Sequence, residues 1–185
     1  MRTFTTTEAA VVTGETLRRV QKLIDEGPIR RRTARSRRRL GLADLLYLAL
    51  SSELGRDLTP GARQKVYAAL KCAWANSDDE LESVEVTDRL VVRCSETVAE
   101  LRQGLARLSA ANQGVVSDPD ILGGEPVLAG TRVPVFAVTD MLRQGATEEE
   151  LLEGYPTLTP ESLEHARIYA AAYPKRGRPK RPAWR

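Results

Sequence analysis

Aromatic residues are scarce in this chain of 185 residues, at 5%. That argues against the stacking platforms that grip single-stranded nucleic acid. Cysteine and histidine are scarcer still: Cys72, Cys94 and His165 are the whole complement. Two isolated cysteines give neither a metal-ligand spacing nor a disulfide framework, so buried free thiols are the simpler expectation. Around His165 stand Glu161, Ser162, Glu164 and Arg167, the setting of a helix surface rather than of an oriented base and nucleophile. No glycine loop of the phosphate-cradling kind is present. The expectation is therefore no enzyme and no cofactor, with no metal site. No apolar run approaches the roughly 20 residues of a membrane span. The opening Met1-Arg2-Thr3-Phe4-Thr5 lacks the apolar stretch of a signal peptide, which places the protein in the cytoplasm, away from membranes.

What the chain has is arginine, and it is segregated. Residues 1–75 carry 15 basic and 7 acidic side chains, a net of +8. Residues 76–172 carry a net of −11, and residues 173–185 a net of +6, so the whole-chain value of +3 conceals three blocks. Segregated charge builds local potentials that attract polyanions or acidic surfaces.

In the first block, Thr5 to Glu8 fits a capping box, predicting a short helix to about Thr13 with Gly14 as the turn. A second helix is predicted from about Thr16 to Glu26, stopped by Gly27-Pro28. Leu17, Val20 and Ile24 recur at helical spacing and define its buried face. Arg18, Arg19 and Lys22 fall opposite, as solvated charges or as the groups a recognition helix presents to the major groove. Seven arginines follow within ten residues: Arg30, Arg31, Arg32, Arg35, Arg37, Arg38 and Arg39. Ser and Thr interrupt the run, as in a short hairpin or mobile wing. An apolar helix, Ala43 to Leu50, comes next, introduced by Gly41 with Asp44 in its first turn.

This order resembles the DNA-binding end of MerR-like regulators over about the first 55 residues. Phe4 through Arg32 correspond to the opening helix-turn-helix and Leu42 through Leu50 to the helix after the wing. The resemblance makes Thr16, Arg18, Arg19 and Lys22 the groove-facing candidates on double-stranded DNA, and the Arg30–Arg39 arginines the phosphate clamps. If about five of them each neutralise a phosphate, log K should fall with log salt at a slope of about −4 to −5.

In the middle, Thr59-Pro60 opens a helix with an apolar stripe of Val66, Ala69, Leu70, Ala73 and Trp74. Residues 76–82 read as an acidic linker. Val84 to Val86 and Leu90 to Val92 alternate like a hairpin. In a helix from about Thr97 to Ala111, Val98, Leu101, Leu105 and Leu108 form a heptad seam. Packing on the hairpin and a homodimer contact are equal readings of it. A palindrome reader needs a dimer, so a homodimer is expected.

The segment after Val115 carries the densest motif: Asp118, Pro119, Ile121, Gly123, Gly124, Pro126, Gly130, Thr131, Arg132, Pro134 and Val135. Leu142, Gly145, Glu149, Leu152, Tyr155, Pro156, Leu158 and Ala166 continue it. Helices are predicted from about Pro134 to Arg143, over 148–153, and from Thr159-Pro160 to about Ala172. From Asp118 through Ala171 the chain closely resembles a bacterial family known as domain of unknown function 433. That resemblance implies a VapB-type antitoxin and autorepressor, encoded beside a PIN-like ribonuclease toxin, longer members bearing a MerR-like domain in front. Arg132 could meet nucleic acid or toxin. An internal ion pair with Asp118, Asp120 or Glu125 is the simpler expectation. The net charge of −7 over residues 116–172 argues against a second strong DNA footprint.

The tail holds Arg176, Arg178, Lys180 and Arg181, with Trp184 near its end. An inert solubilising tail, a minor-groove clamp and a toxin-neutralising arm are the three readings. Its arginines would pair with clustered carboxylates of a nuclease while Trp184 anchors it, which tilts the reading to the arm.

The sequence thus predicts a mainly α protein in four parts: a winged helix-turn-helix over 1–75, and a linker, hairpin and helix over 76–114. A trihelical helix-turn-helix-like domain over 115–172 and a basic disordered tail over 173–185 complete it. The functional expectation is an antitoxin that represses its own operator and neutralises a PIN-like ribonuclease toxin. The alternative is a stand-alone DNA-binding regulator whose C-terminal domain oligomerises or senses a partner.

Overall fold

The computed structural model describes residues 2–29, 39–54, 58–75 and 81–175. The protein is mainly α-helical, with eight α-helices and two small two-stranded antiparallel sheets among the described residues. The chain divides into two compact units, residues 1–109 and 110–185.

The first unit begins with α1 (Thr6–Thr13). Thr5 Oγ1 accepts from Glu8 N at 3.2 Å, and the Glu8 carboxylate accepts from Thr5 N at 2.7 Å, so two end N–H groups are satisfied reciprocally. Gly14, at φ 70, ends the helix in the left-handed region. α2 (Leu17–Glu26) starts at Thr16, whose hydroxyl accepts from Arg19 N at 3.3 Å. Val20 and Ile24 bury its inner face as predicted, but Leu17 is 38% exposed. A helical side chain leans back over the preceding turn, and Leu17, the first residue of the helix, has none to cover.

α3 (Leu42–Leu54) is the apolar centre of this unit, with Leu45, Leu46, Leu48 and Leu50 all buried. Its entry is fixed by Asp44, which accepts from Gly41 N at 2.8 Å and from the Tyr67 hydroxyl at 2.6 Å. Tyr67 lies on α4 (Pro60–Ala75), which packs on α3 and on β1 (Ser83–Thr87) through buried Val66 and Leu70. β1 pairs with β2 (Leu90–Arg93) in the predicted hairpin, with Val84 opposite Val92.

α5 (Ser95–Gln113) crosses the division between the units. Its seam lies largely inside the single chain: Val98, Leu101 and Leu108 are buried and Leu105 is half-buried. Gly104 shows the tightest approach in the first unit, because a Cβ there would collide with the main-chain carbonyl of Val12. Cys94 is buried as expected, whereas Cys72 is exposed on α4.

In the second unit, β3 (Val115–Val116) pairs with β4 (Val127–Leu128). On its other side β4 bridges to Pro134. Three helices follow: α6 (Val135–Arg143), α7 (Glu148–Gly154) and α8 (Pro160–Ala172). Capping boxes open the last two, Thr147 with Glu150 and Thr159 with Ser162. α8 packs on α6, α7 and both strands, closing a core of Leu128, Val135, Val138, Leu151, Leu163 and Ala166 among others. His165 is not a free surface group. Its ring lies over Gly114, its side chain is 17% exposed, and Glu161 stands 3.8 Å away.

Candidate functional site

α2 brings Arg18, Arg19 and Lys22 onto one exposed face, with Thr16 exposed at its cap. Two of the three cations have carboxylate neighbours, one just before the helix and one at its end. Arg19 Nε lies 3.1 Å from Glu15, and Lys22 Nζ lies 3.9 Å from Glu26. The Lys22–Glu26 pair is exposed, and such pairs one turn apart contribute about 0.3–0.5 kcal/mol, whereas the Glu15 side chain is 16% exposed. A phosphate would displace Glu26 at little cost, so Lys22 remains available to an anionic ligand, and Arg18 and Arg19 are exposed beside it. Leu23, Tyr47, Ser51 and Val66 line a cavity of about 250 Å³ that Arg19 and Lys22 also border. Burial pushes the Tyr47 phenol up from its ordinary pKa.

Of the arginine run, Arg39 is described and exposed. Arg30, Arg31, Arg32, Arg35, Arg37 and Arg38 lie outside the described residues, and so does the hairpin or wing expected there. The residues flanking the run are firmly held. Ile29 and Leu40 are 6% and 2% exposed. Leu40 exchanges two main-chain hydrogen bonds of 2.8 Å with Phe4, at the foot of α1. Arg176, Arg178, Lys180, Arg181 and Trp184 also lie outside the described residues. Lys175, just before them, donates to Glu125 at 2.7 Å and lies over the Phe136 ring.

That contact corrects one expectation. Glu125 is engaged by Lys175, and Asp118 accepts from Asp120 N at 2.9 Å to close the turn. Arg132 makes no ion pair among the described residues and is exposed instead. Its turn needs no such pair, because Thr131 holds it. The Thr131 hydroxyl donates to Leu128 O at 2.9 Å and accepts from Val133 N at 3.0 Å. Gly130, at φ 75, supplies the left-handed step before it. Arg132 thereby stands at the rim of an open cleft of about 490 Å³ floored by Val116, Ile121 and Val127. Sequence reasoning missed this cleft. Its signal was the Gly-Thr-Arg triplet itself, a turn former and a clip followed by a cation.

Among the described residues no cluster of three or more His, Cys, Asp or Glu is placed to hold a metal ion. None of the described helices is long and apolar enough to cross a membrane.

Comparison with known proteins gives one relative and one family match. The curated "Uncharacterized protein y4eO" of Sinorhizobium fredii (strain NBRC 101917 / NGR234) is 51% identical over 71 residues. That stretch is 38% of this chain and 32% of y4eO, so the match spans about a third of the relative's length. No solved structure matches the chain. Residues 115–170 match the family described as "Protein of unknown function (DUF433)", so the chain carries a DUF433 domain over the strands and helices of its second unit.

Proposed function

We propose that this protein is an antitoxin of a toxin–antitoxin module that represses its own operator and neutralises a PIN-like ribonuclease. The N-terminal unit acts as a winged helix-turn-helix on duplex DNA: α1, the Gly14 turn and α2 form the reader, and the arginine run clamps phosphates. The observation that carries this reading is the two-sided character of α2. Val20 and Ile24 seat it on the core while Arg18, Arg19 and Lys22 share the outward face. The anchored Ile29 and Leu40 support it further, because they fix the flanks of the arginine run to the same unit. A cationic segment fixed close to a reader helix can grip the backbone while the helix reaches base edges.

α6, α7 and α8 are read as a trihelical, helix-turn-helix-like unit turned to a different task. α7 opens with Glu148, Glu149 and Glu150 in its first turn, a surface that repels phosphate. The residues after Pro174 would supply the toxin arm, with Arg176, Arg178, Lys180 and Arg181 pairing with nuclease carboxylates and Trp184 as anchor. The functional protein is read as a homodimer in the cytoplasm. Since most of the α5 seam is buried within one chain, the dimer contact is sought elsewhere.

Electrophoretic shift on the upstream promoter tests the DNA reading. Converting Arg37, Arg38 and Arg39 to alanine should weaken binding on the order of a hundredfold at moderate salt, and unchanged affinity counts against it. Co-expression with the neighbouring gene product tests the antitoxin half. Full neutralisation by a chain lacking residues 174–185 removes the arm. Operator binding without any co-purifying toxin favours a stand-alone regulator.

A further inference from the structure

We infer that the Arg132 cleft of the second unit is a docking site for an extended peptide segment bearing a single carboxylate flanked by aliphatic side chains. The inference does not depend on the DNA-binding reading of the first unit. It begins with the two faces of the small sheet. Side chains alternate along a strand, so Val115 and its partner Leu128 point into the core, and Val116 and Val127 point to the opposite face. That opposite face is the cleft floor, shared with Ile121. Of this floor Val116 is the open part, at 40% exposed, while Ile121 is half-buried and Val127 is covered at 1%.

Charge then selects the occupant. Residues 116–172 carry a net of −7, and the neighbouring cations are engaged. Arg143 pairs with Asp140 at 2.6 Å, Arg167 with Glu148 at 2.6 Å, and Lys175 with Glu125 at 2.7 Å. Arg132 alone of these four has no carboxylate among the described residues, although its own unit is rich in them. The Thr131 clip fixes its backbone, so the guanidinium is presented from a preformed turn. An arginine fork beside an apolar floor fits one carboxylate with an aliphatic neighbour. A polyphosphate needs several cations together, and the acidic surroundings would repel it.

The free edge of the sheet favours a peptide over a small acid. β3 has a strand on one side only among the described residues, so its other side is open to main-chain pairing by an extended segment. That segment would lay alternate side chains towards the floor and its carboxylate towards Arg132.

Two-dimensional amide NMR of the full-length protein tests this with an acetylated, amidated Val-Glu-Val peptide. The expected result is saturable shifts at Val116, Ile121 and Thr131, and at Thr157, which also lines the cleft. The Val-Gln-Val peptide, or Arg132→Gln in the protein, should weaken binding about tenfold. Arg132 is exposed, so this variant should melt normally. If it does not, Val116→Asp, which places a carboxylate on the floor, should abolish the same shifts. Silence of these residues at about millimolar peptide overturns the inference, as does an equal response to both peptides. Shifts produced instead by a short DNA duplex, or equally well by isovalerate, overturn it too.

Discussion

Glu15 is the carboxylate beside Arg19 on the face of α2 proposed to read DNA. It stands four residues before Arg19, just outside the cap Thr16 of α2, and its oxygen lies 3.1 Å from the guanidinium. Arg19 is 45% exposed and Glu15 16%, and even a partly solvated pair of this kind is worth on the order of 0.5 kcal/mol, roughly a twofold change in an equilibrium. Replacing Glu15 with glutamine should therefore raise affinity for duplex DNA about twofold, measured by fluorescence anisotropy. Lower affinity would mean that Arg19 needs Glu15 to hold it in place. The two cysteines separate just as clearly. Burial pushes the Cys94 thiol up from its ordinary pKa, while Cys72 is exposed. Reactivity follows thiolate and access, so a thiol reagent should modify Cys72 in the native protein and reach Cys94 only on unfolding. Equal labelling rates would contradict that placement.

At the scale of the element, the helix starts were legible and the close approaches were not. Thr5 with Glu8 and Thr147 with Glu150 are pairs three residues apart, so their chemistry is written in consecutive letters. Leu17 fits the same periodic pattern as Val20 and Ile24 yet stays exposed, because periodicity does not record where a helix begins to be covered. Gly104 shows a deeper limit. It meets Val12 from far along the chain, and no local rule marks a mid-helix glycine as an interhelical contact. Gly104→Ala should destabilise the first unit by about 1–3 kcal/mol, since the obstacle is main chain and cannot rotate away. A melting temperature unchanged from the parent would show that α1 and α5 separate easily. Tyr67 joins α4 to α3 through Asp44, and burial with that carboxylate holds its phenol well above the ordinary range. Above about pH 10 the unfolded chain releases this proton and the folded chain keeps it, so stability should fall as pH rises. Tyr67→Phe should flatten that fall, and denaturant melts at rising pH would reveal it. Arg132 belongs to this scale too. The letters supplied the turn, but whether a carboxylate would reach it depended on Lys175 engaging Glu125 from 50 residues away.

For the whole molecule, the charge blocks give the reading its shape. A front of net +8, a middle of −11 and a tail of +6 suit the proposed division of labour, in which basic ends attract polyanions or acidic surfaces and the acidic middle repels them. The mainly helical architecture and the DUF433 segment could be read from local patterns and a dense motif. The assignment of each basic end to a partner could not, because charge states what is attracted and not which anion arrives first. The direct test is the salt dependence of duplex DNA binding by the purified full-length protein and by Arg18→Ala/Arg19→Ala/Lys22→Ala. The parent should bind with a log–log slope of about −4 to −5, and the triple variant should bind more weakly with a shallower slope. Failure of the parent to bind duplex at low salt, or a slope indifferent to those three residues, would contradict the account.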